Sequence, residues 1–460
     1  MSERIAILGA GESGTGAAIL AKVKGYHVFV SDKGSIKEKY KTELAGHQIE
    51  FEEGKHSEEK ILNADLVIKS PGIPDKADLI KKLKAKGVEI IDELEFAFRF
   101  IKGRVIAITG TNGKTTTTLL TYHLMKYAGL NVALAGNVGE SLARKVALEN
   151  HDWYVVEISS FQLDGTKTFR PHIGILLNIT PDHLDRYEYQ MQNYVNSKFQ
   201  LVQSMQSSDY FIYFSDDEVI GKQISQMNIA PEKITVSLKD SSATAHFDGR
   251  MMVFDLSHEL FSVAQEDTTL KGPHNLINTM SAVAAVYTAG VSMESIKDGL
   301  KTFKNAPHRL ETVATINGIE FVNDSKATNV DSVIYALGSY HGPLVWIAGG
   351  IDKGNDYKLI EDQVSKKVKV LVCLGKDNSK LYDAFEGVVK VICETQSMKE
   401  AVSLALKVAR AGDVVLLSPA CASFDLFKNY EDRGDQFRSA VLELKQEIDL
   451  KGIQNIEFRI

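Results

Sequence analysis

Cysteine is scarce. The chain has three, Cys373, Cys393 and Cys421, widely spaced and odd in number. That excludes a disulfide framework and a zinc-thiolate site, and it fits a reducing compartment. Long apolar runs are missing too. Stretches such as VLVCL and VVLL fall far short of the roughly 20 residues that span a bilayer, so no membrane insertion is expected. MSERIAILGAG runs straight into a strand pattern, so no signal peptide is expected and the chain reads as cytoplasmic. There is no excess of positive charge: 53 Lys and Arg face 60 Asp and Glu, for a net charge of −7. A general nucleic-acid role is therefore not expected. Fixed-period repeats and low-complexity tracts are also lacking. What remains is an ordinary globular balance, 44% apolar and 25% charged over 460 residues. That length accommodates roughly two to four domains.

The first ninety or so residues alternate strand and helix patterns. RIAILGAG, HVFVSD, IEFEEG, LVIKSPG and VEIID read as strands, with helical stretches such as GTGAAILAKVKG and KADLIKKLKAKG between them. Such alternation predicts a parallel sheet with right-handed crossovers. ELEFAFRFIKGR, 93–104, reads as a helical connector to a second domain. There RVIAIT precedes the glycine-rich GTNGKTTTTLLTYHLMKYAG, and strands are expected at VALAGN, WYVVEISS, IGILLNI and DYFIYFSDD. From about 234 to 271, short alternating runs (ITVSL, ATAHF, MMVFDL, LFSVAQ) predict a small antiparallel sheet appended to that core. GPHNLINTMSAVAAVYTAG predicts an apolar helix. A third domain opens near 306, with strands at IEFVND, LVWIAGG, VKVLVCLG, KVICE and DVVLLSPA. The expected fold class is α/β in three domains, 1–93, 94–305 and 306–460.

Two glycine-rich turns carry candidate chemistry. Gly9, Gly11 and Gly14 form G-x-G-x-x-G between a strand and a helix, and Asp32 closes the next strand. The pattern suits a dinucleotide, because the glycines permit a tight turn and a helix N-terminus attracts phosphate. It suits equally another nucleotide-linked molecule or a turn without ligand. Only about ninety residues precede the next domain, short for a full dinucleotide fold. The second turn, Gly110-Thr111-Asn112-Gly113-Lys114-Thr115-Thr116, is more specific. Its N–H groups suit phosphate oxygens, Lys114 suits the β- and γ-phosphates, and the Thr115 hydroxyl suits Mg²⁺. Ile108 stands where the standard phosphate loop has its first glycine, so this is a shorter variant. Glu157 ends the apolar strand of WYVVEISS, where a Mg²⁺-organising carboxylate belongs beside such a loop. ATP is thus better supported than a nicotinamide.

GTNGKTT, EISSFQL, NITPDHLDRY, GPHNLIN and NDSKATN occur in that order. Together they resemble the Mur ligase family, the ATP-dependent amide-forming enzymes of peptidoglycan assembly. NDSKATN (323–329) and SPACASFDLFKNYEDRGDQF (418–437) resemble its D-glutamate-adding members. The resemblance implies a Rossmann-like first domain, a central P-loop ATPase-like domain bearing the small antiparallel sheet, and a Rossmann-like third domain. It implies UDP-N-acetylmuramoyl-L-alanine, D-glutamate and ATP as substrates, an acyl-phosphate intermediate, two Mg²⁺ ions and a monomeric chain. Rival readings are another amino-acid-adding ligase of the superfamily, a nicotinamide-dependent oxidoreductase, or an ATP-gated interaction module.

The resemblance also implies roles residue by residue. Lys114 serves the phosphates, and Thr115 with Glu157 holds one Mg²⁺. His183 and a carbamylated Lys198 hold the second. Gly110, Thr111, Asn112, Gly113, Thr116, Asn275, Arg309 and Asp324 complete the ATP contacts, and Lys326 adds charge compensation. Asn278 lies one turn from Asn275 on the same helix face, but only Asn275 is assigned, an Asn pair at a helix start being ordinarily a cap. Gly11, Glu12, Ser13, Asp32, Lys33, Ser70 and Gly72 frame uridine and diphosphate. Asn137, Ser159 and Gln162 reach the pyrophosphate–sugar–alanine region. Thr328, Lys353, Ser423, Phe424 and Tyr430 match the amino-acid site, with core packing the alternative for Phe424.

Overall fold

The computed structural model describes residues 3–457 apart from 75, 257, 271 and 341. Three α/β domains are built on three sheets. The first has strands β1 (Arg4–Leu8), β2 (His27–Asp32), β3 (Glu50–Glu53), β4 (Leu66–Lys69) and β5 (Glu89–Ile91). They are all parallel, in the order β3-β2-β1-β4-β5. The second has nine strands: β6 (Arg104–Thr109), β7 (Val132–Gly136), β8 (Trp153–Glu157), β9 (Ile173–Leu176), β10 (Tyr210–Phe214), β11 (Glu232–Ser237), β12 (Ala245–Phe247), β13 (Met251–Leu256) and β14 (Glu259–Ala264). Their order is β14-β13-β12-β11-β10-β9-β6-β8-β7. The third, β15 (Glu311–Ile316), β16 (Ile319–Asn323), β17 (Leu344–Ala348), β18 (Val368–Leu374), β19 (Val391–Thr395) and β20 (Val414–Leu417), runs β15-β16-β20-β17-β18-β19. The first two sheets belong to one compact unit, Met1–Thr269 with Asn275–Phe303, and the third to another, Leu270–His274 with Lys304–Ile460.

Burial explains the strand compositions. β8, β9 and β17 are buried at every position and, Glu157 at the end of β8 apart, read as apolar runs, because helices cover both faces of a parallel sheet. β13 alternates between buried and more exposed positions, as a one-sided antiparallel strand must. The expected small antiparallel sheet differs in one respect. β11 (ITVSL) pairs parallel with β10, and β12 pairs parallel with β11, so both extend the parallel core. Only β12-β13-β14 is antiparallel, and it forms the edge of the same sheet rather than a separate one. A short alternating strand has the same period in either pairing, so the pattern did not distinguish them. Glu311–Ile316, in the region read only as the opening of the third domain, adds an antiparallel hairpin strand to that sheet.

The segment 93–104 is a short helix, Glu93–Phe98, followed by irregular chain. Glu93 is buried, and its Oε1 accepts the Ala143 N–H at 2.5 Å. Its Oε2 has no partner among the described residues. Burial, with Asp92 and Glu12 adding like charge, pushes this carboxyl up to about 8. A raised carboxyl pKa means the folded chain holds a proton that the unfolded chain releases at lower pH. Its stability contribution is full below the ordinary carboxylate value, declines above it and is gone past about pH 8. Glu93→Gln keeps the acceptor oxygen and removes the titration. Its thermal midpoint should rise relative to the parent as pH goes from about 5 to about 9, each tenfold difference in proton affinity between folded and unfolded chain being worth about 1.4 kcal/mol. Scanning calorimetry at several pH values checks this, and a constant difference would contradict it.

Candidate active site

The parallel core of the second sheet delivers its loops to one edge. β6 ends at Thr109 and runs into the 110–113 turn, which opens the helix Lys114–Tyr127. β8 pairs with β6 so that Glu157 lies opposite Ile108. β9, on the other side of β6, leads into the 177–183 segment. Strand carboxyl ends are where open α/β sheets hold ligands.

The turn itself is tightly stitched. Gly113 has φ +86°, and a Cβ there would lie 2.4 Å from Asn278 Oδ1, so glycine is required twice over. Asn112 N–H donates to Asn178 Oδ1 at 2.8 Å, and Asn178 Nδ2 returns a bond to the Asn112 carbonyl at 3.1 Å. Thr111 Oγ1 accepts the Thr180 N–H at 3.0 Å and lies 3.1 Å from Tyr194 OH. Lys114 Nζ donates to the carbonyls of Gly110 and Thr111, each at 2.8 Å.

Lys198, from the helix Met191–Gln203, joins the same turn. Its side chain is fully buried, and Nζ donates to Gly110 O at 2.7 Å. Two lysine side chains therefore share one carbonyl. Burial first, then the charge of Lys114, pulls Lys198 well below the ordinary lysine value, against the opposing pull of Asp182, Asp164 and Glu157. Glu157 is buried; its Oε1 accepts Asn137 Nδ2 at 2.8 Å, while Oε2 has no hydrogen-bond partner among the described residues. A buried orphan carboxylate oxygen is costly and suits a hard cation. No cluster of three or more His, Cys, Asp or Glu able to hold a metal occurs among the described residues. The implied set relies instead on a hydroxyl and a modified lysine.

His183 stands exposed at the end of its segment with φ +53°. Its ring meets Phe161 edge-on at 5.0 Å, and Nε2 lies 3.6 Å from Asp182 Oδ2. Thr115 and Thr116 occupy the first turn of the 114–127 helix, Thr116 buried. Asn275 Oδ1 accepts Asn278 Nδ2 at 3.1 Å, both side chains being buried.

The first glycine-rich turn uses its acids internally. Asp32 accepts the N–H groups of Ala10 at 2.7 Å and Gly34 at 2.8 Å. Glu12 pairs with Arg144 at 2.7 Å and accepts the Ser141 N–H at 3.1 Å. Burial opposes its ionisation, but these bonds outweigh it and hold its pKa low. Ser159 and Gln162 form a mutual capping box on the helix Ser160–Leu163. Ser70 packs under Gly9, where an added Cβ would lie 2.4 Å from its Oγ. Ser13 is half-buried, while Gly11, Lys33 and Gly72 are exposed.

In the second unit, Asp324 is buried, accepting Ser418 Oγ at 2.8 Å and the Leu310 N–H at 3.2 Å. Burial, against those bonds and the nearby Arg309 charge, pushes it up to about 7. Lys326 Nζ lies 3.6 Å from the centre of the Tyr430 ring. Thr328 is half-buried, Ser423 buried and Lys353 exposed. Phe424 is 69% exposed, which rules out the core-packing alternative. Sequence reasoning passed over Asn178, Thr180, Tyr194 and Arg433, though all but Tyr194 lie inside the motifs that carried the resemblance.

Comparison with known proteins places the whole chain. The Mur ligase middle domain matches residues 108–286, the glutamate ligase domain of Mur ligases 308–421, and the MurD N-terminal domain 4–79. A UDP-N-acetylmuramoylalanine–D-glutamate ligase of Cytophaga hutchinsonii is 52% identical over 448 residues, covering 96% of this chain and all of that protein. One from Bacteroides fragilis is 52% identical over 444 residues, with the same coverage. Among solved structures, a pseudomurein peptide ligase type C from Methanothermus fervidus superimposes with a TM-score of 0.63 at 20% identity, over 96% of this chain and all of that one. At that distance it speaks for the fold alone. With near-complete coverage by relatives of such identity, the chain belongs to the Mur ligase family.

Proposed function

We infer that this chain is an ATP-dependent amide ligase that adds D-glutamate to UDP-N-acetylmuramoyl-L-alanine in peptidoglycan synthesis. The observation that carries the reading is the gathering of Lys114, Lys198 and Glu157 at neighbouring strand ends, in a chain 52% identical to ligases of that name over 96% of its length. In the proposed route, the substrate carboxylate attacks the γ-phosphate of ATP, giving an acyl phosphate and ADP. The amine of D-glutamate then attacks the acyl carbon, and the C–O bond to phosphate breaks. The first step brings two anions together, so cations must neutralise them.

Lys114 serves the phosphates, with Gly110, Thr111, Asn112, Gly113, Thr116, Asn275, Arg309 and Asp324 as the further ATP set and Lys326 as charge compensation. Mg²⁺ held by Thr115 with Glu157, and by His183 with a carbamylated Lys198, would supply the remaining neutralisation. The orphan Glu157 Oε2 supports that assignment, as does burial of Lys198, since a carbamate forms from the neutral amine. Gly11, Ser13, Lys33, Ser70 and Gly72 are the proposed UDP contacts. Glu12, Asp32, Asn137, Ser159 and Gln162 belong to the same proposed substrate contacts, and their bonds to other protein groups hold them in place. For D-glutamate, Lys353 offers a cation and Thr328 and Ser423 hydroxyls. Phe424 and Tyr430 wall the side chain. The domain division 1–93, 94–305 and 306–460, a monomeric chain and a cytoplasmic location belong to the same proposal. Among the described residues no helix is long and apolar enough to cross a membrane.

Three measurements test this. Mass spectrometry after incubation with ATP, Mg²⁺ and the UDP-linked substrate should find a D-glutamate adduct and little product with L-glutamate. Equal use of both enantiomers would contradict the site. Lys114→Ala should fold normally and lose roughly a hundredfold or more in turnover, the typical effect of removing one preorganised donor at developing charge. Unchanged turnover would remove the 110–116 turn from the chemistry. ¹³C-bicarbonate labelling should give a carbamate carbon by NMR that is lost in acid and absent in Lys198→Ala. An unlabelled, dispensable Lys198 would remove the second metal site.

A further inference from the structure

Arg433 lies near the start of the helix Tyr430–Glu457 and is 1% exposed. No carboxylate lies within ion-pairing distance of it among the described residues. Its guanidinium is met instead by loop oxygens. Nε donates to Ser325 Oγ at 3.0 Å and Nη2 to Ser325 O at 2.9 Å. Nη1 reaches Cys421 O at 3.1 Å and Gly349 O at 3.3 Å. These oxygens come from three loops, following β16, β20 and β17, which are consecutive neighbours in the third sheet.

Each loop carries part of the proposed amino-acid site a few residues on. Ser325 precedes Thr328, Cys421 precedes Ser423 and Phe424, and Gly349 precedes Lys353. Two of the loops also hold each other. Ile351 N–H donates to Ala422 O at 2.8 Å, and Ala422 N–H to Ile351 O at 3.1 Å. The third is tied back to the helix, since Ser325 Oγ donates to Tyr430 O at 2.8 Å.

A buried cation that makes no direct ion pair is expensive, and a well-packed apolar side chain of similar volume ordinarily serves stability better. A planar fork of N–H donors does what such a side chain cannot, fixing several carbonyls in one plane at once. We propose that Arg433 is the positioning residue of the amino-acid site, holding the three loops that present Thr328, Lys353 and Ser423 in one register. This rests on the assignment of those residues to D-glutamate. Lysine has three donors on a flexible stem and reproduces only part of the fork.

The test is steady-state kinetics on the full-length enzyme. Arg433→Lys should raise KM for D-glutamate about tenfold, and Arg433→Met further, while KM for the UDP-linked substrate stays within about twofold. A merely structural role would lower the active fraction and leave both KM values alone. Ser325→Ala, which removes only the Oγ partner, should raise KM for D-glutamate about threefold and serves if the Arg433 variants fail to fold. Thr328→Ala and Lys353→Ala separate the two claims. If neither raises KM for D-glutamate, the site assignment falls and the positioning role with it. If both do, and Arg433→Lys and Ser325→Ala do not, only the positioning role is overturned.

Discussion

Two lysine side chains point at one carbonyl. Lys114 and Lys198 both donate to Gly110 O, at 2.8 and 2.7 Å, at the end of the central strand β6. Lys198 is fully buried, so water cannot screen the pair well. The arrangement persists because a carbonyl dipole, a nearby carboxylate in Glu157 and the drop in Lys198 basicity each relieve part of the repulsion. Burial favours the neutral form of Lys198, so the positive charge at this point rests with Lys114. An anion placed there would offset that charge. The rest of the central domain serves this point. β8 brings Glu157 beside it, the segment after β9 brings Asn178 and Thr180 to clasp the turn, and Asn278 packs against Gly113.

Much of the fold was legible because burial leaves a direct mark on composition. β8, β9 and β17 are buried throughout and stand out as apolar runs, and the alternation with helices gave the parallel order. What was not legible was pairing direction at the sheet edge. ITVSL has the same two-residue period whether it joins β10 in parallel or starts a separate antiparallel sheet. Direction is decided by where the chain returns, which no local window contains.

The site divides the same way. The places of Lys114 and Glu157 were legible because a glycine turn and a strand end mark them in the sequence. Asn178 and Arg433 act through backbone partners distant in sequence, Asn112 and Gly349, and Thr180 through its own backbone, which meets the Thr111 hydroxyl. Nothing in the spacing of a lone Asn or Arg announces a carbonyl that lies 66 or 84 positions away. Phe424 was ambiguous for another reason. An aromatic beside a strand end reads as core, and only its 69% exposure assigns it to the surface.

The two glycine-rich turns make opposite use of the same backbone. Both stand between a strand and a helix, and both show positive φ, at Gly9 and at Gly110 and Gly113. The side chains decide between them. The first turn is lined by acids: Asp32 accepts from Ala10 and Gly34, and Glu12 is locked to Arg144. The Asp32 carboxylate takes the Ala10 N–H, so the diphosphate of the proposed UDP-linked substrate is left the Gly11 and Ser13 side of the turn. The second turn is lined by lysines, and an anion there relieves charge instead of adding to it. Glycine spacing therefore records only that the chain turns sharply into a helix. The charge of the residues that close over the turn separates the two, and it supports the proposal that the ATP phosphates lie at Gly110–Thr116. It argues against a nicotinamide dinucleotide at Gly9–Gly14, whose five-stranded parallel sheet also ends short of a full two-halved dinucleotide fold.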